Sequence, residues 1–501
     1  MTYMLRDKSS KKYVPLLIGL FAFAYYTILS AKTFTWVFLS GDSGDWLACA
    51  NWWMTPQPYG SPLYIILCRL IGLLPGSQPL NITILLSCLP SAITVALVYL
   101  IVKHLTNKSS IALVSALVLL GSAVFLSQST VLEEYAIATM FLTGTLYAYV
   151  KGNKWQTVIL LGLGTAVHVF VGTLAIAWMI VEWREWRQWL KPAALFITIV
   201  GVSYSFILLL MFMDTPRLLA GGLNLHSIQF YWTVTTGAIL GQLSLSEAPT
   251  RLLILSSLMI ASFGLALIPV VSSWRKPITK ITVLLSGIVL LTLWYYGTNL
   301  DPAAWTFITL ASPALCILCG LGLYKISSHY KYVIALGAVA LILVNGVFLN
   351  ANILTTADPQ AATYKQELMS LPEGSLVLTT PGTYSLGLFY AMSTDKPLVP
   401  LIYRYIDEWQ FYDYGLWLSQ NYNIETRRTP ITTLPGLHDW KSTLEIIEDN
   451  LDRGVYFAGS PDVTYPIEPA LVLEPVGSSI YLRRVVGLTG LPPEPEFRRT
   501  R

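Results

Sequence analysis

Apolar runs separated by short polar breaks fill the first 350 or so residues of this 501-residue chain. At about 1.5 Å per residue, several runs are long enough to cross about 30 Å of hydrocarbon. They predict spans at Tyr13–Phe38, Asn81–His104, Ser109–Leu126, Tyr135–Val150, Pro192–Met213, Arg251–Val271, Ile281–Tyr296, Pro302–Tyr324 and Tyr332–Asn350. Trp155–Val181 is long for one span and short for two. Pro62–Leu74, amphipathic and too short to cross, reads as a helix lying in the interface. The first apolar run lacks an A-x-A cleavage site and is expected to stay as a signal-anchor helix.

From Ala351 the pattern turns polar and alternates helix-like with strand-like pieces. Gln360–Ser370 and Tyr384–Ala391 read as helices. Ser375–Thr380, Leu398–Tyr403, Gly454–Ala458, Leu471–Leu473 and Ile480–Val485 read as strands. Two regions follow: residues 1–350 in the bilayer and a small α/β domain over 351–501.

Composition sharpens the division. Charged residues make up 12% of the chain, where a soluble domain carries about a quarter, and 18 of the 28 Asp and Glu fall after residue 350. Basic residues cluster at Arg6/Lys8/Lys11/Lys12, Lys103/Lys108, Lys151/Lys154, Arg184/Arg187/Lys191, Arg275/Lys276/Lys280 and Lys325/Lys331. The positive-inside rule puts them all on one side only if Trp155–Val181 enters and returns as two short helices, turning near Gly164–His168. That gives about eleven transmembrane helices, a cytoplasmic N terminus and an extracytoplasmic C-terminal domain. The five cysteines form no disulfide framework, and Cys316-x-x-Cys319 lies in an apolar run without a metal-ligand partner. Nothing points to nucleic acid.

The outer ends of the spans carry the acids: Asp42, Asp45, Glu133, Glu134, Asp214, Glu247 and Asp301. Asp42 and Asp45 share one face of a helix starting near Ser43. Read plainly, they are a helix cap and a first-turn dipole partner. Glu133-Glu134-Tyr135 stands at the entrance of the Tyr135–Val150 span, and His168 at the apex of the short pair. Ionisable groups at bilayer level cost about 2.5–3.5 kcal/mol and are functional candidates by default. Caps and bundle hydrogen bonds are the structural alternatives.

These segments resemble the GT-C superfamily of polytopic glycosyltransferases, in particular its protein O-mannosyltransferase-like branch. Gly41-Asp42-Ser43-Gly44-Asp45 is similar to the branch's G-D-S-G-[DE] pattern. Pro58-Tyr59-Gly60-Ser61-Pro62-Leu63-Tyr64 is similar to its P-x-G-x-P-L-Y-like run, with Gln57 where His is usual. Glu133 and Tyr135 match an E-x-Y pair, and His168 a His near the next hairpin. Asp301–Leu321 is similar to a late outer Asp followed by a span, and Leu371–Ser375 to the turn that opens the branch's outer domain.

The resemblance implies transfer of a sugar, a hexose such as mannose, from a polyprenyl-phosphate carrier to a protein, glycan or lipid acceptor on the outer side. It makes Asp42 the general base, with Asp45 or Glu133 orienting. Arg251 and Arg69 are the cations for the leaving phosphate, and Tyr64, Tyr135 and His168 are substrate contacts. Asp42, Asp45, Glu133 and His168 would also suit Mn or Mg, but the branch works without a metal and no cofactor is assigned. The absence of outer-domain cysteines and of a retention signal favours a prokaryotic plasma membrane. A transporter or lipid flippase is the rival reading, and a receptor or assembly factor the third. The one-sided acids, the absence of an inverted repeat and the large outer domain argue against the transporter, and the receptor reading leaves the acidic outer-face cluster unexplained.

Overall fold

The computed structural model describes residues 3–32, 43–53, 61–76, 78–173, 175–212, 248–274, 279–298, 306–326, 328–352, 358–379, 388, 390–394, 398–402, 440–459 and 467–490. It is a helical bundle followed by a small sheet. Among the described residues, five helices are long and apolar enough to cross a membrane, or six if one bent pair counts as a span. The long helices are Pro79–Thr106, Val169–Ile207, Leu253–Ser273, Ile308–Lys325 and Tyr330–Phe348. Shorter apolar helices include Tyr13–Leu29, Pro62–Gly72, Tyr135–Val150 and Lys280–Leu293. Leu16, Leu17, Leu20, Leu336, Leu343 and Val347 point outward and exposed. A surface of that kind is stable against lipid rather than water.

Ile308–Lys325 is the central helix, buried along nearly its whole length. It packs against Leu267–Ser273, where a Cβ on Gly322 would collide with the Pro269 carbonyl. Hydroxyls inside the bundle turn back on their own helices. Thr94 donates to Pro90 O (2.9 Å), Ser115 to Ile111 O (3.1 Å), Thr143 to Thr139 O (2.8 Å) and Ser312 to Ile308 O (3.0 Å). Such bonds satisfy a polar group where water is absent.

Several helices depart from regularity. Pro79–Thr106 contains a π turn at Ile84–Cys88, directly before Pro90. Proline lacks an N–H for the usual bond, and the wider turn absorbs the mismatch. The span predicted as Ser109–Leu126 is instead two helices, Ser109–Gly121 and Ala123–Ser129, meeting at 66°. The break falls at a Gly-Ser pair, a common site of helix bending.

Trp155–Val181 does turn back. Lys154–Val167 ends at His168, and Val169–Thr173 and Ala175–Glu182 lead away again. A Cβ on Gly164 would lie 3.0 Å from Val171 Cγ1, which a straight helix could not allow across seven residues. At the far end Tyr149 Oη donates to Glu182 Oε1 (2.5 Å) and Trp189 Nε1 to Glu182 Oε2 (3.3 Å). Lys280 reaches both Glu182 (3.4 Å) and Glu185 (2.8 Å). Lys154 bonds Gln188, and Lys151 meets His104 at 3.3 Å. Basic residues of two sequence clusters, Lys151/Lys154 and Lys280, thus gather at one end of the bundle, beside His104. Glu182→Ala, which strips the acceptor from Tyr149 and Trp189, is expected to cost about 1.5–3 kcal/mol. Thermal unfolding of the solubilised protein checks it, and an unchanged midpoint would show that the hairpin is held elsewhere.

After the last long helix, Ser328–Asn352, comes Asp358–Ser370 and then a five-stranded sheet. Its strands are β1 Leu376–Thr379, β2 Val399–Ile402, β3 Val455–Ala458, β4 Leu471–Pro475 and β5 Leu482–Leu488, in the order β2-β1-β3-β5-β4. β1 pairs in parallel with β2 and β3, while β5 runs antiparallel to β3 and β4. β1 and β3 are buried on both faces, as parallel strands covered by helices are. All five predicted strands are present. Trp440–Asp449, a helix, was not predicted, and most of the predicted Tyr384–Ala391 helix lies outside the described residues. Among the described residues, the sheet region is bonded to the bundle through Asn51 Nδ2 and Ser393 Oγ (2.9 Å).

Candidate functional site

The end of the bundle opposite the basic cluster is where Tyr135–Val150 starts, about 24 Å away along that 16-residue helix. Its N-terminal cap is Glu134, with Glu133 just before. Ser43–Asn51 also starts at this end, with Asp45 in its first turn as expected. Asp45, Glu133 and Glu134 are all buried. Each lies at the positive end of a helix, which offsets part of the cost of burying a carboxylate.

The two acidic segments are tied together. Ser43 Oγ donates to Leu132 O (3.0 Å), a buried bond that fixes the start of one helix against the residue preceding Glu133. Ala31 N–H donates to Thr130 O (2.8 Å), anchoring the same loop to the end of the first helix.

His168 completes the group. It is buried, with Nε2 3.8 Å from Glu134 Oε1. Its Nδ1 accepts from the Phe170 N–H (3.2 Å). An accepting Nδ1 puts the proton of a neutral ring on Nε2, the atom facing Glu134. The ring is held among Tyr135 (centroids 5.3 Å apart) and Phe307 (5.3 Å), with Phe170 also on Phe307 (5.6 Å).

Pro62–Gly72 supplies the other wall. Tyr64 is fully buried, edge-on to Trp46 at 4.7 Å, and within electrostatic reach of Glu133 and Glu134. The Tyr64 hydroxyl, Trp46 Nε1 and Ser61 Oγ are buried without a hydrogen-bond partner among the described residues. Ser61 caps this helix in the left-handed region (φ 40°, ψ 53°), a strained backbone for a non-glycine residue. Arg69 Nη1 donates to Ala50 O (2.8 Å), and its guanidinium stacks 6.0 Å from the Trp53 ring. Gly72 makes this approach feasible, since a Cβ there would strike the Ala50 carbonyl.

The structure therefore brings Asp45, Glu133, Tyr64, Tyr135 and His168 to one end of the bundle, and Arg69 to its edge. Asp42 and the Pro58–Gly60 part of the motif lie outside the described residues, as do Asp214, Glu247 and Asp301. Arg251 lies on the Ala248–Phe263 helix, its side chain outside the described set. Glu134, Trp46 and Phe307 belong to the group but had no assigned role in the sequence reading. Glu134 was legible as half of an acidic pair, whereas nothing marked Phe307 apart from other bundle aromatics. Among the described residues, no set of three or more His, Cys, Asp or Glu is arranged to hold a metal ion; Asp42, one of the four residues suited to Mn or Mg in the sequence, lies outside them.

The fold is that of the GT-C polytopic glycosyltransferases. Residues 42–218 match the family model described as the protein O-mannosyl-transferase TMEM260 N-terminal domain. Among solved structures, ArnT from Cupriavidus metallidurans in the apo state aligns over 95% of this chain and 98% of its own, at 12% identity and a TM-score of 0.64. The same protein bound to undecaprenyl phosphate aligns over 94% and 97%, at 11% identity and a TM-score of 0.61. A search of curated proteins finds no significant match. The GT-C resemblance read from the short acidic motifs is thus supported by both a family match and the fold.

Proposed function

We propose that this protein is a membrane glycosyltransferase that moves a hexose such as mannose from a polyprenyl-phosphate carrier to a protein, glycan or lipid acceptor on the extracytoplasmic side. The observation that carries this is the buried gathering of Asp45, Glu133, Glu134, His168 and Tyr64 at one end of a GT-C fold. Leaving a buried polar atom unpaired costs about 1–3 kcal/mol. The Tyr64, Trp46 and Ser61 atoms therefore suit a polar guest. The O-mannosyl-transferase family match and the undecaprenyl phosphate in the ArnT structure support the choice of chemistry and carrier.

In this reading the acceptor hydroxyl attacks the anomeric carbon and its proton passes to Asp42. The bond from that carbon to the phosphate oxygen breaks, and its electron pair leaves on polyprenyl phosphate, giving inversion. Asp45 and Glu133 orient the reacting hydroxyls, while Tyr64, Tyr135 and His168 line the sugar. Arg251 and Arg69 offset the phosphate charge. Arg69 spends one Nη on Ala50 O, and its other N–H donors remain for this task. Arg69→Ala or Arg251→Ala is expected to weaken donor use about tenfold or more. If both variants turn over donor like wild type, another group holds the phosphate, and sensitivity to a chelator would identify it as a metal.

The charge pattern supports an N terminus in the cytoplasm and a C-terminal domain outside, and the cysteine-free outer domain supports a prokaryotic plasma membrane. A reporter fused after Asn350 is expected to register outside, and one between Val181 and Pro192 inside. An outside signal from the second position would overturn this orientation, and with it the outer placement of His168.

A further inference from the structure

The 66° bend between Ser109–Gly121 and Ala123–Ser129 leaves backbone groups that a continuous helix would pair. They are met from other helices. Asn345 Nδ2, on the last long helix, donates to Gly121 O (2.6 Å) and also reaches Ala261 O (3.3 Å). Val124 N–H donates to the buried Ser262 Oγ (3.2 Å). A Cβ on Gly121 would lie 2.8 Å from Ile342 N, so the two helices cross almost backbone to backbone. Asparagine inside an apolar span is costly unless its amide is engaged. Here it joins two helices at their breaks, since Leu253–Ser273 is itself interrupted at Gly264 (φ +49°).

What the bend aims is the acidic loop. Ala123–Ser129 runs straight into Thr130, Leu132 and Glu133, whose backbone is fastened by Ala31 and Ser43. We propose that Asn345, together with Ser262, is a positioning residue that sets the angle at which this short helix delivers Glu133 and Glu134 to the site. The inference rests on the glycosyltransferase reading for its consequence, though not for its geometry. Asn345 lies on a helix that carries none of the candidate site residues. It also lies on the helix that leads to the C-terminal domain, so the site loop and that domain share one mechanical support.

Backbone hydrogen exchange in nanodiscs tests the clasp without reference to activity. In Asn345→Leu, amides of 123–134 are expected to exchange about tenfold faster or more, with other helices unchanged. Asn345→Gln, which keeps the amide donor, is expected to restore part of the protection. Should the leucine variant not insert, Ser262→Ala removes a single hydroxyl and is expected to show the same local acceleration. Unchanged exchange in 123–134, or equal acceleration throughout the bundle, would overturn the proposal. Transfer kinetics then separate its consequence: Asn345→Leu is expected to lower kcat with donor KM held, and to add little in a Glu133→Gln background. Faster local exchange in Asn345→Leu, alongside a wild-type protein that transfers no sugar, would leave the clasp standing and remove the functional reading.

Discussion

Asp42→Asn is expected to lower sugar transfer by at least two orders of magnitude while stability hardly changes. Asparagine caps a helix about as well as aspartate. If Asp42 only capped the helix that begins at Ser43, the substitution would be nearly silent. As a general base the same residue loses its proton acceptor at constant size, and such assistance contributes roughly 10²–10⁴-fold. Asp45, one turn further on and buried in the first turn of that helix, is the internal comparison. Asp45→Asn should be milder, because an orienting carboxylate replaced by an amide still accepts a hydrogen bond. Full activity in Asp42→Asn would remove the central residue from the mechanism.

Glu133→Gln should reduce kcat/KM by roughly one to two orders of magnitude, the equivalent of losing one charge-assisted hydrogen bond of about 1.5–3 kcal/mol. Glu133 is buried, and the Ser43 hydroxyl bonded to Leu132 O holds its segment against the Asp45 helix. Such anchoring gives a second, smaller expectation: Ser43→Ala loosens the segment and lowers transfer in the same direction, by less. Steady-state rates across donor concentrations, with thermal unfolding alongside, distinguish a lost contact from a lost fold. A fully active Glu133→Gln would reduce Glu133 to a helix-end charge. The carboxylate facing His168, Glu134, would then be the remaining candidate.

Much of this arrangement was legible because lipid imposes strict rules. Tyr135–Val150 begins and ends where its apolar run does, and the in-and-out path of Trp155–Val181 followed from the placement of basic residues. The strands of the C-terminal sheet followed from β-rich runs between turns. What escaped was set by tertiary contacts. The 66° bend hides inside an apolar run, marked only by Gly121-Ser122, and it persists because Asn345 and Ser262 bond the groups it frees. Asn345 was visible as a polar residue in a span, but no local pattern said which helix it would meet. Trp440–Asp449 escaped because its few apolar positions, such as Ile446 and Ile447, gain meaning only against the sheet.

At the site, the motifs identified Asp45, Glu133, Tyr64, Tyr135 and His168 as candidates, and the fold explains how residues so far apart in sequence come together. Two helix N-termini and one hairpin apex meet at the same end of the bundle. Phe307 and Trp46 could not be singled out, since aromatic packing has no sequence signature of its own.

The central claim is transfer from a lipid-linked sugar, and one assay addresses it directly. Purified wild-type protein and Asp42→Asn, reconstituted separately in vesicles with radiolabelled polyprenyl-phosphate hexose, are mixed with a membrane extract as source of acceptor. The account expects label to leave the lipid donor for an acceptor fraction with wild type, and at least a hundredfold more slowly with the variant. Label that stays on the donor with wild type, or moves equally fast with both, would contradict it.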